Sequence, residues 1–101
     1  MAYAVVLPRD TQTDIDEIVE GQFVGKLGQL AGVDAIEQEL QHLATNPTLG
    51  AVVFGGPYES RRIYKCSIRV DGYRPVELEF AYRLNAHKQQ ITISSARVVA
   101  A

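Results

Sequence analysis

At Gly50 the hydrophobic period of this chain changes, and that change limits the folds open to it. Before Gly50, apolar residues recur at helical spacing: Ile15, Ile18, Val19 and Phe23 on one stripe, then Val33, Ile36, Leu40 and Leu43 on another. After it, Tyr64, Cys66, Ile68 and Val70 alternate with Lys65, Ser67 and Arg69, and Val76, Leu78, Phe80 and Tyr82 alternate with Glu77, Glu79 and Arg83. A short apolar run at 2–7, closed by Pro8, reads as a first strand. "GAVVFGG", ended by Gly55-Gly56-Pro57, and "QITISSARVV" are further strands. The expected order is β-α-α-β-β-β-β, an α+β fold with two N-terminal helices packed on one face of a mainly antiparallel sheet.

Local signals set the boundaries. Thr11 or Thr13, each with an Asp three residues on, approximates a capping box for the first helix, and Asp14, Asp16 and Glu17 suit its positive end. Asn46-Pro47 stops the second helix, with His42 solvated on its polar flank. Gly21, Gly25, Gly28 and Gly32 recur at 4, 3 and 4. On a continuous helix they make a stripe that permits close approach. Each Gly costs up to about 1 kcal/mol there against Ala, which favours a bent or frayed junction between two helices.

Parity fixes the hairpin that follows. A two-residue loop at Asp71-Gly72 would set Cys66 against Glu77 and mix the two faces. A three-residue loop, 71–73, sets Ile68 against Val76, Cys66 against Leu78, and Lys65 opposite Glu79 as a cross-strand ion pair. In the last strand Ile91 and Ile93 face the core. Ser95 and Arg97 share their parity, so a bulge near Ser94–Ala96 is required to bring Val98 inside.

At 101 residues, 47% hydrophobic and 22% charged, the composition is that of a single globular domain, 1–101. No run is long enough to span a membrane, the N-terminus does not read as a secretory leader, and one cysteine forms no internal disulfide, so a cytoplasmic protein is expected. His42 and His87 are too isolated for a metal site, and "FGGPYES" lacks the Lys-Ser/Thr of a phosphate loop, so no metal and no cofactor is expected. Cys66, in the apolar stripe, reads as a small core residue rather than a nucleophile.

The net charge of −2 conceals an asymmetry. Residues 1–50 carry two basic and eight acidic side chains, whereas residues 51–101 carry eight and four. Five of the ten cations, Arg61, Arg62, Lys65, Arg69 and Arg74, crowd into "ESRRIYKCSIRVDGYR". Lys65 and Arg69 project from the sheet face opposite the apolar stripe, joined by Arg83; such a face can hold a phosphate backbone. Glu77 and Glu79 share it, so internal pairing on a wet sheet is the competing account.

The order of elements, the step Leu43, Asn46, Pro47, Gly50, and the Arg61-Arg62 entry to a hairpin bearing Asp71-Gly72-Tyr73-Arg74 together resemble the RelE/ParE toxin superfamily. The resemblance covers nearly the whole length and rests on spacing. It implies a small toxin of a type II toxin–antitoxin pair, neutralised by an antitoxin segment wrapping its surface. In the RelE-like branch it implies metal-independent cleavage of mRNA in the ribosome, the ribose 2′-OH attacking the adjacent phosphate; in the ParE-like branch, blockade of DNA gyrase.

Carried over by position, Arg61 or Arg62 and Lys65 fall where the nuclease branch places strand cations. Arg83 follows on the next strand, and Glu59 matches a carboxylate that some nuclease members use as a base. The catalytic candidates are thus Arg62, Lys65, Arg83 and Glu59, and the nucleic-acid candidates Arg61, Arg69, Arg74 and Arg97. Nuclease members place a Tyr or His after the last strand, where this chain has only "ARVVAA"; Tyr82, the nearest phenol, is buried by parity with Phe80. The expected function is therefore protein binding, to a cognate antitoxin, to gyrase or to a second copy. The alternatives are a ribosome-dependent endoribonuclease and a non-toxic binding or structural module on the same fold.

Overall fold

A computed structural model describes residues 2–100 of the chain. Its elements are β1 (Ala4–Val6), α1 (Arg9–Gln22), α2 (Lys26–Thr45), β2 (Ala51–Gly55), β3 (Glu59–Ile68), β4 (Val76–Asn85) and β5 (Gln90–Ala100). One five-stranded sheet runs in the order β1-β5-β4-β3-β2. β1 lies parallel to β5, and every other pair is antiparallel. The expected α+β order is the observed one.

Both helices pack against the same sheet face, α1 on β5 and α2 on β1 and β3. Ile15, Ile18, Val19, Ile36, Leu40 and Leu43 close over Ile68, Leu78, Phe80, Tyr82, Ile91 and Ile93. Burying a side chain of this size contributes about 1.5–3 kcal/mol, so this layer is the main source of stability.

The hairpin register is as parity requires: Ile68 pairs with Val76, Cys66 with Leu78 and Lys65 with Glu79. The strands part beyond Ile68 and Val76, so the turn around Asp71-Gly72-Tyr73 sits at the tip of a longer loop. The bulge in β5 also forms. Tyr82 pairs with Ile93 and Ala81 with Ser95, leaving Ser94 unpaired; Ala96 is then buried and Val98 half-buried.

Several expectations need correction. Neither Thr11 nor Thr13 caps α1, which begins at Arg9 after Pro8 without a side-chain cap. Thr13 bonds back to the Arg9 carbonyl at 3.1 Å. The fully buried Thr11 instead donates to the Ile93 carbonyl, and the Asp14 carboxylate accepts the Ala96 N–H at 3.3 Å. The β5 bulge takes backbone groups out of the ladder around Ser94, and α1 supplies their partners.

The glycine segment is both a junction and a stripe. The helix breaks only at 23–25, where Gly25 takes φ +83°, a conformation that disfavours any residue with a Cβ. From Lys26 onward α2 is continuous. Within it Gly32 receives the Phe23 ring, which would lie 2.6 Å from a Cβ at that position. Close approach is therefore used, but to an aromatic ring.

Cys66 is half-buried, not buried. Lys65 stays exposed, but Glu79 does not pair with it: Arg97, from β5, takes that carboxylate at 2.9 Å and leaves the Glu79 side chain 12% exposed.

Candidate functional site

Alternation along β3 divides its cations between two environments. Arg62 pairs with Tyr82 and so lies on the helix side of the sheet. There its guanidinium donates to the carbonyls of Gly50 (2.8 Å) and Thr48 (3.2 Å) and to the Ser60 hydroxyl (3.1 Å). The Tyr82 hydroxyl pins the same loop, donating to the Pro47 carbonyl at 2.6 Å and accepting the Gly50 N–H at 3.0 Å. Arg62 is thus a structural clamp on the segment leading into β2.

Arg61 is the cation that shares the open face with Lys65. It pairs directly with Arg83, and Glu59 approaches Arg83 at 3.8 Å. Ile63 and Ala81 form the floor of a hollow of about 390 Å³, bounded by Val53, Arg61, Arg83 and Ser94. A second hollow of about 240 Å³ continues past Arg83 between Glu59, Lys88 and Thr92. Two guanidinium groups beside an apolar floor can hold a phosphate or carboxylate group. Glu59 is already engaged with one of them.

The remaining cations are dispersed. Arg69 lies beyond the end of β3 and lines a groove beside α2, not the open sheet face as its parity suggested. Arg74 is exposed in the same connecting loop. Arg97 is neutralised by Glu79. The cation run of the sequence therefore serves a loop clamp, an open-face pair and a connecting loop.

The groups driven from their ordinary protonation range lie under the helices. Burial, then the bond to Glu39 at 2.9 Å, pushes the Tyr64 hydroxyl well up. Burial pushes the Cys66 thiol up to about 12, assisted by Glu39 and Glu77. Tyr82 is raised by burial, against the lowering effects of the Gly50 N–H and Arg62. Each is held protonated on the inner side of the sheet, away from the Arg61–Arg83 hollow.

Two surfaces of a different kind escaped the sequence reading. At the elbow between the helices, Val24, Leu27 and Leu30 are 82%, 83% and 57% exposed. At the sheet edge every residue of β2 is exposed, with Val53 and Phe54 at 64%. A signal for the first exists in the three-residue spacing 24–27–30, a second apolar stripe hidden among the glycines. Nothing in an apolar run such as "AVVF" distinguishes a covered strand from an edge.

Among the described residues, no helix is long and apolar enough to cross a membrane. No family model, curated protein or solved structure matches the chain.

Proposed function

We propose that this chain is a RelE/ParE-like protein of the toxin type that acts by binding other proteins, an antitoxin segment first among them. The observation that carries this reading is the apolar elbow of Val24, Leu27 and Leu30. Contiguous apolar surface left in water marks an interaction site. A groove of about 560 Å³ runs on one side of it, along Leu27, Ala31, Ala35 and Tyr73, with Asp34 and Asp71 outnumbering Arg69 among its charged residues. A hollow of about 230 Å³ lies on the other side, with Asp16 and Glu20 against one cation, Lys26. The fitting occupant is an amphipathic segment with apolar anchors and Lys or Arg flanks. The clamp role of Arg62, a cation the nuclease reading needs free, supports the binding reading over a nuclease.

A second reading, the ribosome-dependent endoribonuclease, rests on the Arg61–Arg83 hollow and exposed Lys65. Expression in cells, with growth and mRNA ends followed together, separates the two. Binding predicts growth arrest without cuts at ribosomal A-site codons, relieved by co-expressing the product of the neighbouring reading frame. That relief is lost with Leu27→Asp and Leu30→Asp together, and inhibition of supercoiling by the purified chain would identify gyrase as target. A-site cuts that vanish with Arg83→Glu would replace the binding reading with the nuclease. A chain causing no arrest and forming no complex with the neighbouring product is the non-toxic module.

A further inference from the structure

Arg61 and Arg83 stand directly opposite one another on β3 and β4. Like charges in that position destabilise a strand pair, so the arrangement is a cost that the fold itself does not explain. Glu59 relieves it only in part: its carboxylate reaches Arg83 at 3.8 Å and lines the second hollow rather than the first. Among the described residues Arg61 has no ion-pair partner.

The space between the two guanidinium groups is built by two irregularities. In β2 the register skips Val53, and in β5 it skips Ser94. These strands lie on opposite sides of the β3–β4 hairpin, yet both unpaired residues line the same hollow of about 390 Å³. Bulges re-aim side chains and gather beside binding sites. The β5 bulge is fixed from the helix side, where Thr11 and Asp14 bond the Ile93 carbonyl and the Ala96 N–H. Ser94 brings a hydroxyl to the hollow, and Ile63 and Ala81 give it an apolar floor.

Charge and oxygen count select the ligand. Leaving aside Arg62, which is spent on the loop across the sheet, the two hollows hold Arg61, Arg83 and Lys88 against Glu59. That excess matches a phosphate monoester, which carries close to two negative charges at neutral pH. Its terminal oxygens accept from two guanidinium forks at once, whereas a carboxylate offers one charge, and Glu59 already supplies one. A polymer backbone fits less well, because the cations do not continue as a track: Lys65 shares its stretch of the face with Glu77 and the Arg97–Glu79 pair. The apolar floor, with Phe54 opposite Arg61 in β2 and 64% exposed, suits an aromatic or aliphatic group beyond the phosphate.

We propose that the Arg61–Arg83 hollow binds a small phosphate monoester carrying an aromatic or aliphatic group. The site lies on the sheet face opposite the helices and does not rest on the elbow.

Calorimetric titration of the full chain with phenyl phosphate tests this, with saturable binding expected and NMR amide shifts centred on Arg61, Arg83 and Ser94. Arg61→Gln and Arg83→Gln should each weaken binding about tenfold, the loss of one charge-assisted pair. Glu59→Gln should tighten it, and Leu27→Asp should leave it unchanged. Arg61→Gln should also raise the melting temperature of the free chain by relieving the opposed charges, so loss of binding is separated from loss of fold. Methyl phenyl phosphate, a monoanion of similar shape, and benzoate should bind more weakly than phenyl phosphate. No saturable binding at millimolar phenyl phosphate overturns the proposal, as does binding that survives both arginine changes. Equal binding of methyl phenyl phosphate, or tighter binding of a trinucleotide with a 5′-hydroxyl, overturns it in favour of a diester backbone.

Discussion

Phe23 and Tyr73 meet edge to face, with ring centroids 5.2 Å apart and planes inclined at 71°. One ends the first helix and the other sits in the loop between β3 and β4. The Tyr73 hydroxyl donates to the Val24 carbonyl at 2.6 Å, so the loop fastens the residue that follows Phe23 as well. The elbow is thereby held in place by aromatic packing on its inner side while Val24 and Leu27 remain in water.

Gly32→Ala tests that packing, because two effects oppose each other. Helix propensity favours Ala by up to about 1 kcal/mol. The new Cβ would meet the Phe23 ring at 2.6 Å, and overpacking of this kind costs about 1–3 kcal/mol. The expected net result is destabilisation in a urea melt, whereas an exposed helical glycine would give a gain.

Thr11→Val keeps the side-chain shape and removes the hydroxyl that serves the Ile93 carbonyl. A buried acceptor left without its partner costs about 1–3 kcal/mol. Thermal or chemical unfolding should show that loss, and Thr11→Ser should recover most of it.

Substitution of the cations should divide them by role. Arg62→Ala removes three hydrogen bonds to the 48–60 segment and is expected to lower stability by about 1–3 kcal/mol. Lys65→Ala, exposed on the open face, should stay within about 0.5 kcal/mol of the parent. Denaturant midpoints measured side by side decide the ordering.

Alkaline pH should weaken the fold from pH 9 upward. The Cys66 thiol has an ordinary value of 9.0 and is pushed up to about 12, first by burial and then by Glu39 and Glu77. The folded state keeps a proton that the unfolded chain releases, so this contribution is complete below pH 9 and lost as pH rises toward 12. Tyr64 and Tyr82, raised in the same sense, add to the loss above pH 10. Melting temperature should fall across pH 9–11, and Cys66→Ala should flatten the fall.

Amide exchange should locate the break between the helices narrowly. The first intrahelical bond of α2 runs from the Gln29 N–H to the Gly25 carbonyl, and α2 has no side-chain cap. The amides of Lys26, Leu27 and Gly28 should exchange fast, with protection rising from Gln29 onward. Slow exchange at all three would show that a further partner covers this end.

The hairpin register and the β5 bulge were legible because a period of two gives each residue a fixed side. A single slip would have set Cys66 against Glu77 and left Val98 outside. Burial of Tyr82 was legible for the same reason. The role of Arg62 was not, because parity near the start of β3 depends on where the strand begins, and its acceptors are backbone carbonyls that have no sequence identity. The pairing of Glu79 with Arg97 rather than Lys65 was also hidden: β4 has a neighbour on both sides, and alternation cannot say which cation reaches the carboxylate. Thr11 imitates a cap in sequence, but its acceptor lies 82 residues away and is freed by the bulge. Exposure of β2 depends on what lies beside it, which an apolar run does not encode.

The strand that lies second in the sheet, between β1 and β4, is β5, the last of the strands to leave the ribosome. Until Ile91 and Ile93 emerge, α1 lacks the strand it packs on, β1 has no partner strand, and β4 is an open edge. The β2–β3 and β3–β4 hairpins can form from local sequence while synthesis continues. Completion of this fold therefore waits for β5 to emerge. A ribosome stalled before Gln90 would hold a nascent chain that quality-control proteases meet as unfolded, however many of its helical residues have already been made.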